Sequence, residues 1–267
     1  MNKIVVITGA DMGIGKCTAD MFRSKGDIVL CLSLALDEDY KEFSYVCDVA
    51  NEENVKQVME QIKEKYGHID VLVNNAGFGV NGALELLPTG VVQKANAVNV
   101  EGVYMVTKYA LPLMGKGGKI FNMSSISGIT PAPFRGLYHF TKSAVYMMSL
   151  CQRMELNQAG IDVTAICPGQ AKTTFVKNRV KIYDTNERYG NRISGALDKC
   201  GKDDTRKRMP PEKIANVIVK QSYKKHSKPA IVVGAKAKLF YIAYKFLPLR
   251  WFMAFSNKIM GGGKIDK

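Results

Sequence analysis

The opening of this chain leaves it few architectures to choose from. Lys3 to Ile7, KIVVI, is an apolar β run without polar alternation, the pattern of a strand covered on both faces in a parallel sheet. It passes directly into Thr8-Gly9-Ala10-Asp11-Met12-Gly13-Ile14-Gly15, and a helical pattern follows from Lys16 to Lys25. Strand, glycine turn and helix in that order can cradle a pyrophosphate. Glycines let the backbone come close, and the helix N-terminus offers unpaired N–H groups and the positive end of its dipole. The spacing is Gly-x-x-x-Gly-x-Gly rather than Gly-x-Gly-x-x-Gly, so it departs from the commonest dinucleotide fingerprint.

The remaining chain continues the alternation. Strands are expected at Asp27 to Leu32, Ser44 to Cys47, Asp70 to Val73, Lys119 to Met123, Ile161 to Ile166 and Pro229 to Val233. Between them lie helices from Asn51 to Tyr66, Val103 to Met114, Tyr138 to Asn157 and Glu212 to Lys224. Regular alternation specifies a doubly wound parallel α/β sheet of about seven strands, with helices on both faces and right-handed crossovers. No repeat or linker divides residues 1–267, which are expected to form a single domain.

The chain's size suffices for a substantial core. Its formal net charge of +14 is unevenly spread: residues after Lys172 are rich in lysine and arginine, while the first hundred are closer to balance. This asymmetry suits an anionic partner, or else a solvated basic face. No nucleic-acid motif accompanies it, so a nucleic-acid partner is not expected. Cys17, Cys31, Cys47, Cys151, Cys167 and Cys200 form no CxxC pair, and His68, His139 and His226 are too scattered to ligate zinc. No metal site is expected, and the cysteine usage suits a reducing, cytoplasmic setting. No signal peptide precedes the first strand on this reading.

The chemistry is concentrated in 118–142, where a strand, a serine turn and a proline-containing loop lead into a helix. Tyr138 and Lys142 sit four apart near its start and share one face. A lysine charge favours a neighbouring phenolate, which brings a tyrosine towards useful acid–base work. Ser125 lies in the serine turn, thirteen positions before Tyr138.

In order and spacing, Thr8-Gly9, Gly13-Ile14-Gly15, Asp48, Asn74-Asn75-Ala76-Gly77, Asn99, Ser125, Tyr138-x-x-x-Lys142 and Pro168-Gly169 resemble the short-chain dehydrogenase/reductase family. The match covers about the first 175 residues. It implies a single-domain Rossmann fold and NAD(P)-dependent hydride transfer between a secondary alcohol and a ketone. It also implies roles. Tyr138 would be the general acid/base, and Lys142 would lower its pKa and hold ribose hydroxyls. Ser125 would bind the substrate oxygen, and Asn99 would fix a water linking Lys142 to solvent. Gly9, Asp11, Met12, Gly13, Ile14, Gly15, Ser33, Asp48, Val49, Asn75, Ala76 and Gly77 would surround the cofactor. Asp48 would meet the adenine, while Asn74 and Gly77 would line the adenosine half. Tyr138, Lys142, Pro168, Gly169 and Thr173, with Thr174 as an alternative to the last, would face the nicotinamide half.

Ser33 replaces the carboxylate that would select NAD and repel a phosphate. Met12 and Leu34 supply no cation, although Lys16 and Lys41 are candidates, and Asp37 to Asp39 oppose a phosphate. The balance narrowly favours NADP(H), with NAD(H) open. Residues 173–210 take the place of a substrate loop, a candidate lid. Phe78, Ile126, Phe134, Gln170 and Phe175 are candidate pocket walls beside Ser125 and Tyr138. An apolar pocket favours a bulky substrate such as a hydroxysteroid or bile acid, with a loose resemblance to hydroxysteroid and retinol dehydrogenases over 131–174. A 3-oxoacyl, polyol or small ketone substrate stays open, as does a nucleotide-binding regulator without turnover. Helices 103–115 and 138–157 resemble the family's dimer pair, so a homodimer or homotetramer is expected. The segment 236–260 mixes aromatics with spaced lysines. It either lies at a membrane surface or forms an amphipathic helix closing the cleft or packing on another subunit.

Overall fold

The structure, a computed structural model, describes residues 2–263 apart from 37, 174, 176, 177, 203–207 and 262; for 38, 39 and 199–202 it describes the backbone only. In chain order the elements are β1 (Ile4–Thr8), α1 (Gly13–Arg23), β2 (Ile28–Ser33), β3 (Ser44–Val46), α2 (Glu52–Tyr66), β4 (Val71–Asn74), β5 (Val80–Asn81), α3 (Thr89–Asn96) and α4 (Gly102–Ala110). There follow β6 (Lys119–Met123), α5 (Gly136–Glu155), β7 (Asp162–Pro168), β8 (Val180–Lys181), α6 (Arg192–Lys202), α7 (Pro211–Ser222), β9 (Ala230–Val233), α8 (Ala235–Phe246) and α9 (Leu249–Met260).

The main sheet runs β3-β2-β1-β4-β6-β7-β9 and is parallel throughout. The chain steps outward from β1 to β3, then returns to the other side of β1 at β4. That reversal opens a crevice at the strands' C-terminal ends, the usual ligand position in such sheets. One core layer packs α2 and α4 on the sheet through Val55, Val58, Ile62 and Val106. The opposite layer holds α1 and α7 through Ala19, Phe22, Ile214 and Ile218. Strands buried on both sides need continuous apolar runs, which is why their positions are legible from sequence.

Local signals set the ends of α2. Asn51 caps it by accepting from the Asn54 N–H at 3.0 Å, Glu52 and Glu53 occupy the first turn, and Gly67 closes it at a φ of 75°. Three segments differ from the sequence expectation. The helix expected over 103–114 is preceded by a π turn, Ala97–Glu101, and ends in a 3₁₀ turn, Leu111–Leu113, around Pro112, which has no N–H to continue the ladder. The substrate segment is more than a loop: β8 pairs with β5, and α6 buries Ile193, Ala196 and Leu197 at helical spacing. The tail is two helices, because Pro248 forces Leu247 into extended backbone and restarts the chain as α9.

Candidate active site

The glycine turn is held from several sides. Asn75 donates its amide to the carbonyls of Thr8 at 3.0 Å and Gly9 at 2.9 Å. Thr8 Oγ1 accepts from the N–H groups of Asn75 and Ala76, each at 3.0 Å. The Ala10 N–H donates to Ser33 Oγ at 3.1 Å, so this buried hydroxyl already serves the turn. Gly15 has no room for a side chain, since a Cβ there would stand 2.1 Å from the Gly9 carbonyl oxygen. No side chain caps the first turn of α1 and no acidic residue occupies it, so its N–H groups suit an anion. These observations fit a dinucleotide's pyrophosphate. Asp11 and Met12 lie exposed on the rim, with Gly13 and Ile14 half-buried beside them. Thr173 reaches over the turn, its Cβ 3.4 Å from the Cβ position of Gly13. Thr174 lies outside the described residues.

Asp48 is exposed next to the crevice and accepts from the Ala50 N–H at 2.9 Å. Val49 is buried and packs against Gly102 of α4, so its side chain belongs to the core. Asn74 also corrects the expectation. Its amide is buried and donates to Thr107 at 2.9 Å and Asn122 at 2.8 Å, tying β4 to β6 and α4 rather than lining the cleft with its side chain.

Four residues converge beyond the end of β6. Ser125 begins the turn after that strand, Tyr138 and Lys142 come from the first turns of α5, and Asn99 comes from the π turn. Such π distortions are frequent at functional sites. Asn99 does not hang free for a water. Its amide donates to the Phe78 carbonyl at 2.8 Å and accepts from the Phe78 N–H at 2.9 Å, with a further bond to Thr141 at 3.2 Å. A Cβ on Gly77 would stand 2.8 Å from Asn99 Oδ1 and 3.6 Å from Lys142 Nζ, which brings these groups around one point. Lys142 is buried and donates to the Met123 carbonyl at 2.7 Å. Pro168 and Gly169 end β7 alongside, with Ser125 Oγ 3.5 Å from the Pro168 carbonyl.

Burial pushes the Tyr138 phenol above its ordinary value, while the Arg179 guanidinium, a hydrogen bond with Ser125 and the charge of Arg135 pull it down without prevailing. Burial also lowers Lys142, to about 8, against the weaker opposing influence of Cys167. Among the charges acting on the phenol, that of Arg179 opposes burial most strongly. Arg179 Cζ lies 5.9 Å from the Tyr138 ring and Lys142 Nζ lies 6.0 Å from it.

Among the proposed pocket residues, Phe175 tilts against Tyr138 with ring centroids 5.8 Å apart. Phe134 is held at a φ of 56°, a conformation costly for a bulky residue and common at functional sites. It packs on Ala83 and on Ile193, Ala196 and Leu197 of α6, which joins the 173–210 segment to the loop before α5. Ile126 is half-buried in the turn after Ser125. Gln170 is exposed, its carbonyl accepting from the Met209 N–H at 3.1 Å. Phe78 instead packs with Val80, Ala95 and Leu137. Arg179 was missed from sequence because no motif surrounds it. Pairing of β8 with β5 fixes its backbone, and its stem crosses Gly79, with Nε 2.9 Å from the Cβ position there.

A dinucleotide crevice beside a serine, a tyrosine and a buried lysine defines an oxidoreductase that works with a nicotinamide cofactor. The model for "short chain dehydrogenase" matches residues 3–183. The chain belongs to that family. It is 37% identical over 223 residues to a 3-ketodihydrosphingosine reductase of Bacteroides thetaiotaomicron, covering 82% of each chain. A 3-oxoacyl-[acyl-carrier-protein] reductase of Thermotoga maritima is 33% identical over 230 residues, 81% of this chain and 89% of that one. The solved structure of ElxO with NADP bound superposes with a TM-score of 0.70 at 30% identity, covering 91% of this chain and all of that one. The protein is an NAD(P)-dependent oxidoreductase.

Proposed function

We propose that this enzyme reduces a ketone on an apolar, open-chain substrate, preferring NADPH. The observation that carries the reaction is the convergence of Ser125, Tyr138 and the buried Lys142 beyond the end of β6, with Lys142 Nζ 6.0 Å from the Tyr138 ring and beside Gly77 at the mouth of the glycine-turn cleft. The bound nicotinamide supplies the hydride. Tyr138 gives its proton to the carbonyl oxygen, Ser125 donates a second hydrogen bond to that oxygen, and Lys142 orients the ribose beside them. Asn99 holds the Phe78 backbone, and with it the floor of the site.

The substrate reading rests on Phe134, Phe175 and the apolar inner face of α6. It rests also on two relatives whose names each specify a ketone at carbon 3 of a sphingoid or acyl chain. That favours an open 3-keto chain over the hydroxysteroid or bile acid considered from sequence. The preference for NADPH follows from the absent carboxylate at Ser33 and from the NADP bound in ElxO. A homodimer is part of the proposal. Phe140, Met147 and Met154, spaced seven apart on α5, stand exposed together, and Tyr104 on α4 is exposed as well.

The test is a reductase assay at the reduced-nicotinamide band with 3-keto chains, simple ketones and ketosteroids, run with each cofactor. Tyr138→Phe is expected to lose about 10²- to 10⁴-fold in turnover while still binding cofactor. Equal turnover in that variant overturns the mechanism, and ketosteroids outpacing every open chain overturn the substrate class.

A further inference from the structure

Beyond the catalytic cleft, the feature least like an ordinary protein surface is the outer face of the two tail helices. On α8, Leu239, Ile242 and Phe246 follow helical spacing and form one solvent-facing ridge, with Leu239 69% and Phe246 74% exposed. Lys238 and Lys245, seven apart, flank the ridge on one side, and Lys236 flanks it on the other. The connection keeps the same character through exposed Leu247 and Leu249. On α9, Trp251 is 66% exposed, four residues before the exposed Phe255, with Arg250 and Lys258 beside them. No carboxylate occurs anywhere between Glu212 and Asp266.

This face is outward by construction. The inner sides of the helices hold each other through Phe252, whose ring lies 4.9 Å from Phe240 and 5.1 Å from Tyr244. The pair is then fixed to the rim of the cleft at two points. Ala237 sits against Gly169, and Ser256 Oγ donates to the Pro131 carbonyl at 2.7 Å. A large apolar patch left exposed marks an interaction site.

We propose that α8 and α9 lay the enzyme on an anionic lipid surface, the ridge entering the headgroup boundary while the flanking lysines and Arg250 meet lipid phosphates. An apolar ridge bordered by cations is what an interfacial helix requires. No described helix is long and apolar enough to cross a membrane, so the contact is peripheral. Charge decides against a second copy as the occupant, since it would set the same cations face to face. The inference stands apart from the identity of the substrate.

Trp251 is the chain's only tryptophan, so its emission reports this face alone. The full-length protein is mixed with phosphatidylcholine vesicles containing or lacking phosphatidylglycerol, and flotation is recorded with the spectrum. Co-flotation and a blue shift are expected with the anionic vesicles, weakened by salt. The variant Leu239→Ser/Ile242→Ser/Phe246→Ser, confined to exposed positions, is expected to partition at least about tenfold less while its circular dichroism is unchanged. Lys236→Gln/Lys245→Gln is expected to lose the preference for phosphatidylglycerol. The proposal is overturned if neither flotation nor a shift occurs. It is overturned if the triple serine variant binds like the parent, because adsorption would then be plain polyanion attraction, as nucleic acid would also give. It is overturned too if the triple variant reduces the protein's oligomeric state without lipid, since the ridge would then be an interface between copies.

Discussion

The glycine turn and the tail are built on opposite principles. Around the turn the organising contacts are directional: Asn75 holds Thr8 and Gly9, Ser33 holds Ala10, and the Asn74 amide N–H groups bridge to Asn122 and Thr107. Around α8 and α9 the organising contacts are aromatic rings, and large apolar side chains remain in solvent. Directional bonds fix geometry closely and need specific residues at specific spacings. Apolar packing tolerates many sequences of suitable volume. The first region therefore carries the chemistry of the reaction, and the second, on the proposal made above, sets where the enzyme works.

The rigid side of that contrast is broken most severely at Gly15. Gly15→Val would drive side-chain atoms into the Gly9 carbonyl and push α1 off the turn. Cofactor affinity by calorimetry is expected to fall by more than about 100-fold, since a close-packed turn cannot absorb the shift. An unchanged affinity would remove the turn from the binding site. A second break lies at the far end of the sheet. Asp162 takes Lys119 Nζ at 2.6 Å, Arg153 at 3.2 Å and the Ser227 N–H at 2.7 Å. Burial by itself raises this carboxyl, yet the bonds and charges of Lys119, Ser227 and Arg153 outweigh it and leave the pKa lowered. A depressed folded-state value gives stability that is present above the unfolded value of about 3.9 and lost as pH falls through the folded one. Asp162→Asn is expected to cost about 3 kcal/mol at neutral pH, by leaving Lys119 buried without its counterion. Urea unfolding across pH should also show a shallower acid decline than in the parent.

The same contrast explains how much could be read from the residues alone. The strand positions were accessible because strands such as β1 and β6 are buried on both faces, and Asn51 announced α2 by its capping chemistry. Tyr138, Lys142 and Ser125 were named from the resemblance to a family pattern, and the structure brings the three together beyond the end of β6. That the side chains of Asn74 and Val49 turn into the fold was not legible, since adjacent residues at a strand end point to opposite sides. Arg179 had no local signature. Its place depends on a two-residue strand pairing across a hundred positions and on space over Gly79. The break at Pro248 was visible, yet an aromatic pattern on both sides of it made the tail resemble one helix.

On the apolar side, Phe252→Ala sharpens the comparison. Phe252 is buried beneath Phe240, Tyr244 and Phe255, and truncation is expected to cost about 3 kcal/mol. If the tail is held by packing alone, Trp251 emission should report unfolding at lower denaturant than the circular dichroism of the sheet. Coincident transitions would make the tail an integral part of the core.

The smallest effect is expected at Arg179, beside Tyr138. Its charge is the foremost opponent of the burial that raises the Tyr138 phenol, with Ser125 and Arg135 assisting. Lys142, lowered to about 8, faces Cys167, and burial holds His139 near 4, so that histidine stays neutral through the range concerned. In Arg179→Gln the phenol should therefore titrate higher. Alcohol oxidation needs the phenolate and rises as pH passes through that pKa, so its rising limb should move to more alkaline pH, with activity lost on the lower slope. Ketone reduction needs the phenol and should keep its activity to correspondingly higher pH. Arg179→Lys restores the charge and should return both limbs towards the parent, which a merely structural side chain would not do. Limbs of kcat/KM that stay in place in Arg179→Gln would return the control of Tyr138 to Ser125 and Arg135, and the reaction could then be read from the hydrogen-bonded region alone.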